Sequence, residues 1–323
     1  MNYYRYLILF ASVFLCLPLL SQQTPCYKKK KICDYSKIKS CYELVNIKEE
    51  KYAETLRNLY PFSGSCTKCY RNGVFKEHLI FINGKRNGKD SSYYNSGCPQ
   101  SVQSYVMGIK HDTTTHFYDS TYRIKSMSIY FNGKKYGPSF KLDSQGDTLI
   151  YQEFANNLPS GVKREYYEES KIKKIVHYKN GVLHGNHKTY NQNGELELEF
   201  NYMDGQNHGS QVMYHDNNVI MRKENWKKGK KHGDFITYTP LNKILSEKYF
   251  KNDVPTGTHK EYYPDGKEKH VLVFGKKGVI IEEYLFDNFG VKTMVDHTTE
   301  KKKKCGSKRK KEEEEETGGA TID

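Results

Sequence analysis

A repeat of 24 residues runs through most of the chain, and it constrains the fold more than any other feature. One position of the repeat, here called the glycine slot, consists of Gly64, Gly88, Asp112, Gly137, Gly161, Gly185, Gly209, Gly233 and Gly257. Every step is 24 residues except one of 25, between Asp112 and Gly137. A fixed period of this length is typical of repeat proteins, in which each unit is one supersecondary element packed against its neighbours.

A second position of the repeat, here called the aromatic slot, is aromatic in every unit. Aromatic residues make up only 14% of the chain, so chance does not explain this regularity. We predict that these residues form a structural aromatic ladder in which neighbouring rings pack on one another. The slot consists of Phe81, Tyr105, Tyr130, Phe154, Tyr178, Tyr202, Trp226, Phe250 and Phe274.

A third position, here called the third slot, is aromatic in most units. The one extra residue of the array falls after Phe117, in the stretch YDSTYR, as expected for an insertion confined to a turn. We predict that the third slot and the aromatic slot lie on one face of a sheet. The third slot consists of Cys69, Tyr93, Phe117, Leu142, Tyr166, Tyr190, Tyr214, Tyr238, Tyr262 and Phe286.

Turn residues indicate that each unit is a β-hairpin. The segment Pro264–Gly266 reads Pro-Asp-Gly and predicts a type I turn closed by a left-handed glycine. Such a turn places Tyr263 against Lys267 and Tyr262 against Glu268. It also predicts the stabilising cross-strand pairs Tyr166–Ile172, Tyr190–Leu196, Tyr214–Ile220 and Tyr238–Ile244. The Gly-x-x-x-Gly segments, such as Gly181–Gly185, are then predicted to be loops between hairpins.

The predicted fold class is all-β, an elongated single-layer antiparallel meander of about nine 24-residue hairpins, or roughly eighteen strands. A short Cys-rich, partly helical N-terminal cap is expected to cover the first edge of the sheet. The helix is predicted in Ser40–Tyr60, because Leu44, Ile47, Tyr52 and Leu56 recur there at roughly helical spacing.

The loops of the array resemble those of a known family. The segments YKNGVLHG (Tyr178–Gly185), YMDGQNHG (Tyr202–Gly209) and WKKGKKHG (Trp226–Gly233) are similar to MORN repeats, and most of all to the bacterial 24-residue variant often labelled the antitoxin component of a toxin–antitoxin pair. The resemblance covers about residues 60–286. It implies scaffolding, contact with protein or lipid and, in the bacterial variant, toxin neutralisation, and it brings no catalytic residues.

The ends of the chain differ from the array and define the domain boundaries. Met1–Ser21 has one basic residue, Arg5, followed by the apolar run Leu7–Leu20. This pattern predicts a secretory signal peptide and an extracytoplasmic protein, either secreted or periplasmic; lipid attachment at Cys16 and an uncleaved anchor are the alternatives. The expected organisation is a signal peptide at 1–21, a Cys-rich cap at 22–59, repeats at 60–299 and a disordered charged tail at 300–323.

Six cysteines cluster near the start of the predicted mature chain. In an exported protein such a cluster predicts disulfide bonds, with the pairing open, and Cys305 is expected to stay free. A zinc half-site or a redox pair at Cys66 and Cys69 are the alternatives, because the two are spaced Cys-x-x-Cys. The disulfide candidates are Cys26, Cys33, Cys41, Cys66, Cys69 and Cys98.

Charge and chemistry favour binding over catalysis. The net charge of +14 suits an anionic lipid or glycan, and it also suits solvated sheet faces. His184, His208 and His232 share one slot, but equivalent strands two apart lie about 9.6 Å from each other, too far to share a metal ion. The sequence has no phosphate-binding loop or catalytic motif. We therefore expect no enzyme activity, cofactor or metal site.

The sequence predicts an exported binding or scaffolding module that acts through an extended sheet face and has a protein partner. Two alternatives are an antitoxin or immunity protein that neutralises a partner toxin, and attachment to the cell envelope through anionic lipid or glycan. Nucleic acid is disfavoured for an exported chain, and the oligomeric state is open. The least regular region of the array, with Tyr93, Tyr94, Phe117 and Tyr118, is the predicted partner contact.

Overall fold

The computed structural model describes residues 44–46, 53–55 and 61–295, and this part of the chain is all-β. Short 3₁₀ turns lie at Glu168–Ser170 and Lys276–Gly278. The strands are β1 (Leu44–Asn46), β2 (Ala53–Thr55), β3 (Gly64–Cys69), β4 (Phe75–Ile82), β5 (Lys85–Arg86), β6 (Gly88–Tyr93), β7 (Pro99–Val106), β8 (Ile109–Phe117), β9 (Ile124–Phe131), β10 (Lys134–Leu142), β11 (Thr148–Ala155), β12 (Leu158–Tyr166), β13 (Ile172–Lys179), β14 (Val182–Tyr190), β15 (Leu196–Met203), β16 (Gln206–Asn207), β17 (Gly209–Tyr214), β18 (Ile220–Lys227), β19 (Lys230–Tyr238), β20 (Ile244–Lys251), β21 (Val254–Pro255), β22 (Gly257–Tyr262), β23 (Glu268–Phe274), β24 (Ile280–Phe286) and β25 (Lys292–Met294).

Successive strands pair antiparallel, as predicted for a meander. The chain divides into two compact units, Met1–Val182 and Leu183–Asp323. In the first unit each strand from β3 to β13 pairs with its neighbour in sequence, and in the second unit the strands from β14 to β25 do the same. The array has more strands than expected because three of them are interrupted just before a glycine-slot residue, between β5 and β6, β16 and β17, and β21 and β22.

The first kind of turn is the predicted one. Tyr262 lies opposite Glu268, the Tyr263 N–H donates to the Lys267 carbonyl at 2.8 Å, and Gly266 has a φ of 97°. The four predicted cross-strand pairs are all present. The extra residue lengthens one of these turns, where the Tyr118 N–H reaches the Arg123 carbonyl, five residues on instead of four. The prediction of hairpins closed by a left-handed glycine is confirmed.

The second kind of turn is tighter than predicted. Asp204 and Gly205 have φ angles of 51° and 80°, the pattern of a two-residue type I′ hairpin turn. Gly185 lies inside β14, so the Gly-x-x-x-Gly segment is a turn followed by a strand and not a loop. Positive φ at both central positions recurs at Asn83-Gly84, Met107-Gly108, Asn132-Gly133, Asn156-Asn157, Asn180-Gly181, Asp204-Gly205, Lys228-Gly229 and Asn252-Asp253.

The glycine slot and the aromatic slot are cross-strand partners in all nine units. Gly233 lies opposite Phe250, for example, and Asp112 lies opposite Tyr130. Every member of the glycine slot has a positive φ between 61° and 141°, including Asp112. Glycine adopts this conformation without strain, and a large ring opposite a strand glycine compensates for the side chain that it lacks. The period of the sequence is therefore a period of glycine–aromatic pairs.

The aromatic slot and the residue opposite the third slot lie on different faces of the sheet. The ring of His259 packs against Phe274 of the aromatic slot at 4.4 Å, whereas Lys260 Nζ contacts Glu268 Oε1 at 2.6 Å. His259 and Lys260 are consecutive strand residues and point to opposite faces. Their contacts Phe274 and Glu268 therefore lie on opposite faces as well, although they are six residues apart, an even number. Glu268 is the residue opposite Tyr262 of the third slot. The register shift next to each bulged turn breaks the alternation. The prediction that both slots share a face is therefore wrong.

Polar side chains are buried where the backbone hydrogen bonds between neighbouring strands are interrupted, just before the aromatic slot. Gln211, only 2% exposed, accepts from the Asn201 N–H at 3.2 Å and donates to the Asn201 carbonyl at 2.7 Å. At the equivalent position of a later unit, His259 is 5% exposed and its Nε2 lies 2.9 Å from the Tyr249 nitrogen. These side chains satisfy backbone groups that would otherwise be buried without partners.

The N-terminal cap differs from the prediction. β1 pairs antiparallel with β2, so the chain is strand at both places within the stretch predicted to be helical, and that prediction is wrong there. A few apolar residues at helical spacing are a weak signal in a short segment, because helix nucleation is costly. The predicted signal peptide, the rest of the cap and the charged tail lie outside the described residues.

Acidification is expected to destabilise the second unit through His259. Burial lowers the pKa of His259 from its ordinary value of 6.5, and Lys248 lowers it further, while the hydrogen bond to Tyr249 opposes the shift. The unfolded chain then binds the proton first, so the stabilisation is complete above about pH 6.5 and is lost as the pH falls below it towards the folded-state pKa. Urea unfolding at a series of pH values measures this loss.

His259→Gln is the matched variant, because Gln211 already makes both backbone hydrogen bonds at this position. We expect the variant to fold and its free energy of unfolding to fall less between pH 7 and pH 5 than that of the unmodified protein. Identical pH dependence of the two proteins would contradict the role of His259.

Trp226→Ala is expected to lower the free energy of unfolding by about 2–4 kcal/mol, somewhat below the cost for a fully buried tryptophan because the residue is half-buried. Its ring packs on Phe235 at 5.5 Å, and its Nε1 donates to Glu224 at 3.0 Å. Leu241→Ala is the control, since Leu241 is 82% exposed in a turn. Equal effects of the two substitutions in urea unfolding would argue against a structural ladder.

Candidate functional site

In the second unit, side chains of the aromatic slot pack against other aromatic rings of the protein. Trp226, Phe235, Phe250, His259 and Phe274 form a continuous row, with ring centroids 5.5, 5.0, 5.2 and 4.4 Å apart. Members of the aromatic slot alternate in this row with the two residues that lie between them. The rings contact one another, as expected for side chains that stabilise the sheet.

In the first unit, basic side chains cover the rings of the aromatic slot. Arg86 lies over Tyr105 at 5.3 Å, and Lys110 lies over Tyr130 at 5.4 Å. Phe81 is buried and packs on Phe62 at 6.0 Å. Because these rings are engaged within the fold, a partner would contact other side chains first.

The repeated histidines hold the type I′ turns. His184 Nδ1 accepts from the Asp204 N–H at 3.4 Å, and His208 Nδ1 accepts from the Lys228 N–H at 3.3 Å, in each case from the next turn along the array. Each histidine thus binds a different turn. Among the described residues, no group of three or more His, Cys, Asp or Glu side chains could hold a metal ion.

Tyrosines that follow the third slot, here called latch tyrosines, tie successive bulged turns together. They are Tyr70, Tyr94, Tyr118, Tyr167 and Tyr263, and the hydroxyls of four of them donate to a third-slot carbonyl in the next unit. The bonds are Tyr70 to Tyr93 at 2.8 Å, Tyr94 to Phe117 at 2.9 Å, Tyr118 to Leu142 at 2.8 Å and Tyr263 to Phe286 at 2.9 Å.

A lysine lies over most latch tyrosines. The ammonium groups of Lys76, Lys125, Lys173 and Lys269 lie 5.8, 5.5, 5.1 and 5.7 Å from the rings of Tyr70, Tyr118, Tyr167 and Tyr263. Each lysine follows the first residue of the strand after the turn. At Tyr94 the equivalent residue is Gln100, and within the described part of the chain no cation lies over that ring.

The four residues of the predicted partner contact have different surroundings. Tyr93 is only 8% exposed and packs edge-on against Phe75 at 6.2 Å, so its ring belongs to the interior. Tyr118 lies under Lys125. Tyr94 and Phe117 line a common surface depression. The structure therefore brings two of the four residues into one site, and their contact with a partner stays a prediction.

The depression has a volume of about 400 Å³ and lies across β6–β9 in the first unit. Four of its residues form a row across these strands, since Ser92 lies opposite Ser101, Ser101 opposite His116 and His116 opposite Ser126. No carboxylate lines it. Its lining residues are Ser92, Tyr94, Gln100, Ser101, His116, Phe117, Lys125 and Ser126.

The depression lies in a positive electrostatic environment. His116 is an exposed residue, but partial desolvation of its ring lowers its pKa, and the charges of Lys110, Lys125 and Lys135 lower the pKa further. Lysines that disfavour a proton on a neighbouring imidazole also favour an anion beside it. The site therefore combines a neutral imidazole, hydroxyl groups and positive charge.

A second exposed surface lies at the type I′ turns of the first unit. Phe131 is 57% exposed, and its ring contacts His111 at 5.4 Å and Tyr136 at 6.5 Å. Ile109 is exposed as well and lies beside the next turn, within 3.3 Å of where a Cβ on Gly133 would be. We call this surface the apolar edge, and it consists of Ile82, Val106, Met107, Ile109, Phe131 and Leu158.

The sequence analysis did not predict the apolar edge, and of the depression it named only Tyr94 and Phe117, although both surfaces had a signal in the sequence. Three positions of the apolar edge, Met107, Ile109 and Phe131, carry Lys228, Lys230 and Lys227 in a unit further along the chain. Gln100 likewise departs from the lysine of other units. Comparing the exposed positions between units would have found both, whereas the prediction used the positions that repeat.

Comparison with known proteins identifies the repeat. The sequence model described as a MORN repeat variant matches residues 159–180 and 183–204. Each match covers one hairpin with a bulged turn, the first from β12 to β13 and the second from β14 to β15. No curated protein matches the chain. No helix in the described residues has the length and apolar character needed to cross a lipid bilayer.

Two solved structures are similar over 75% of this chain at 12% identity. They are the Photorhabdus luminescens Tc holotoxin pore with a TccC3 mutation, at a TM-score of 0.16, and the crystal structure of TcdB2-TccC3-TEV, at a TM-score of 0.17. The chain spans 16% of the length of each of those chains. TM-scores this low support no argument about fold or function. The two matched segments, each a hairpin of the array, are MORN repeats of the variant type.

Proposed function

We propose that this repeat protein is a binding module that docks a protein partner through the apolar edge of its first unit. The observation that carries the proposal is the exposure of Val106, Met107, Ile109 and Phe131 around two consecutive turns. Exposed apolar side chains in a contiguous group are typical of interaction sites. Burying one such side chain against a partner contributes about 1.5–3 kcal/mol, so several of them together offset part of the entropy lost on association.

An anionic membrane surface is the second candidate partner. Lys85 and Lys134 occupy turn-flanking positions beside the apolar edge, and the pairing places Lys85 next to Ile82 and Lys134 next to Phe131. Apolar side chains interleaved with lysines suit the interface of an anionic bilayer. Charge-driven attachment weakens steeply with salt, whereas docking of apolar side chains does not.

Export is part of the proposal and rests on the N-terminal sequence. The pattern of Met1–Ser21 supports export, and an exported module would meet its partner outside the cytoplasm. An antitoxin or immunity protein is a narrower form of the same proposal, in which the docked partner is a toxin. No catalytic step is part of either form.

The combined variant Met107→Asn, Ile109→Gln and Phe131→Ala is expected to reduce partner capture by about tenfold or more, because it removes the apolar anchors. The fold should persist, since Asn132, Gln206 and Ala155 occupy the same three positions in other units. The variant leaves the net charge unchanged. Crosslinking and pull-down from the envelope of the producing cells measures capture, and thermal melting checks the fold.

The matched control is Lys228→Asn, Lys230→Gln and Lys227→Ala, which makes the same replacements in a unit of the second half. We expect capture to survive in the control. Loss of capture in the control alone, with flotation on phosphatidylglycerol vesicles that disappears between about 0.1 and 0.5 M salt, would replace protein docking by charge-driven attachment to lipid.

The export proposal predicts disulfide bonds among the six clustered cysteines. Cys66 and Cys98 are buried, where a disulfide would be protected from exchange. Peptide mapping without reduction should find bonds within the set Cys26, Cys33, Cys41, Cys66, Cys69 and Cys98, and a thiol at Cys305. Loss of a native disulfide costs about 2–5 kcal/mol, so a reductant should lower the melting temperature. Six thiols with bound zinc would favour the metal alternative instead.

A further inference from the structure

Tyr94 is a latch tyrosine whose ring is open to a ligand. In the units of Tyr70, Tyr118, Tyr167 and Tyr263 a lysine lies over the ring, and at Tyr94 the lysine is replaced by Gln100. The hydroxyl of Tyr94 still donates to the Phe117 carbonyl at 2.9 Å, so the ring is held in place. A ligand can stack on such a ring with little loss of side-chain entropy, because the ring is already fixed before the ligand binds.

The polar groups around Tyr94 can still form hydrogen bonds. Within residues 61–295, the side chains of Gln100, His116 and Ser126 make no hydrogen bond to another protein group. Ser92 and Ser101 share one hydrogen bond of 2.7 Å, and each hydroxyl keeps further donor or acceptor capacity. A ligand with several hydroxyl groups would satisfy this set, because hydroxyl, amide and imidazole groups both donate and accept.

The charge of the lining residues narrows the class of ligand further. Lys125 lines the depression, and no carboxylate does. A cationic ligand placed over Tyr94, as lysines lie over the other latch tyrosines, would be repelled by Lys125, because no carboxylate is there to offset the charge. The volume of about 400 Å³ is within the range of small-molecule sites.

We propose that the depression binds an acidic saccharide, with the C–H face of a sugar ring on Tyr94, its carboxylate towards Lys125 and His116, and its hydroxyls on Gln100 and Ser126. A uronic acid combines these three features in one ring. A nucleotide also has a flat ring and an anion, but it has fewer hydroxyl groups for the row of serines. This site is separate from the apolar edge and does not rest on the proposed protein docking.

Gln100→Lys is the decisive variant, because it places over Tyr94 the lysine that other units carry. The variant adds a positive charge, so a site that attracts anions by charge alone would bind more tightly. A stacking site would lose its ring surface, and trigalacturonate binding should fall by about tenfold or more. Titration calorimetry with the full chain measures the change. Unchanged or tighter binding in Gln100→Lys would overturn the proposal.

Further ligands and variants separate the contributions. Maltotriose, which has the same number of rings without charge, and inorganic sulfate, which has charge without a ring, should each bind at least about tenfold more weakly than trigalacturonate. Ser126→Leu, which puts the residue of Leu198 into the row, should fill the depression and abolish binding. Tighter binding of adenosine monophosphate would reassign the site to nucleotides, and no binding of trigalacturonate would also overturn the proposal.

Controls keep this test independent of the rest of the molecule. Lys269→Gln uncovers Tyr263 in the second unit and should leave trigalacturonate binding unchanged. The apolar-edge variant Met107→Asn, Ile109→Gln and Phe131→Ala should also bind normally, so failure of protein docking and failure of saccharide binding are distinguishable. Melting of each variant confirms that a loss of binding is not a loss of fold.

Discussion

Hydrogen bonds between successive turns set the period of the array. The second residue of each type I′ turn donates its N–H to a carbonyl of the preceding unit, as in Gly108 to Arg86 at 2.7 Å and Gly229 to Asn207 at 2.9 Å. These bonds form only if each unit brings its turn to the same height beside the previous one. A residue added or lost on a strand would shift the pairing and move side chains to the other face. The fixed period therefore follows from the geometry of neighbouring turns.

The same constraint explains where the array accepts an irregularity. The extra residue lies in the bulged turn between Tyr118 and Arg123, at the other end of the strands from the type I′ turns. That end is tied by the long side chain of Tyr118, which reaches the Leu142 carbonyl 24 residues on, whereas Tyr94 reaches Phe117 after 23. The type I′ end keeps its geometry across the same insertion, since the Gly133 N–H still donates to the Lys110 carbonyl at 2.8 Å.

The sequence was informative about local pairing and less so about orientation. Pro264-Asp265-Gly266 was enough to derive the turn type and the pair Tyr262–Glu268, because turn residues dictate their own φ angles. The faces were assigned wrongly because simple alternation cannot count through a bulge. Gln211 and His259 gave no pattern, since different polar residues perform one task, bonding to an interrupted backbone. The apolar edge and the remaining residues of the depression were not predicted for a related reason, because they depend on positions where one unit differs from the others.

Repetition separates the residues that maintain the fold from those available for function. Glycine–aromatic pairs recur in all nine units and latch tyrosines in several of them, and their rings are covered by neighbours such as Arg86 and Lys125. Met107 and Gln100 differ from the residues of other units without disturbing the fold. Met107 keeps the turn conformation, and Gln100 leaves the hydrogen bond of Tyr94 in place. The apolar edge lies at the type I′ turns and the depression near the bulged turns, so separate hydrogen bonds hold the two surfaces. A change at one end of the strands can therefore alter one surface while the other keeps its geometry.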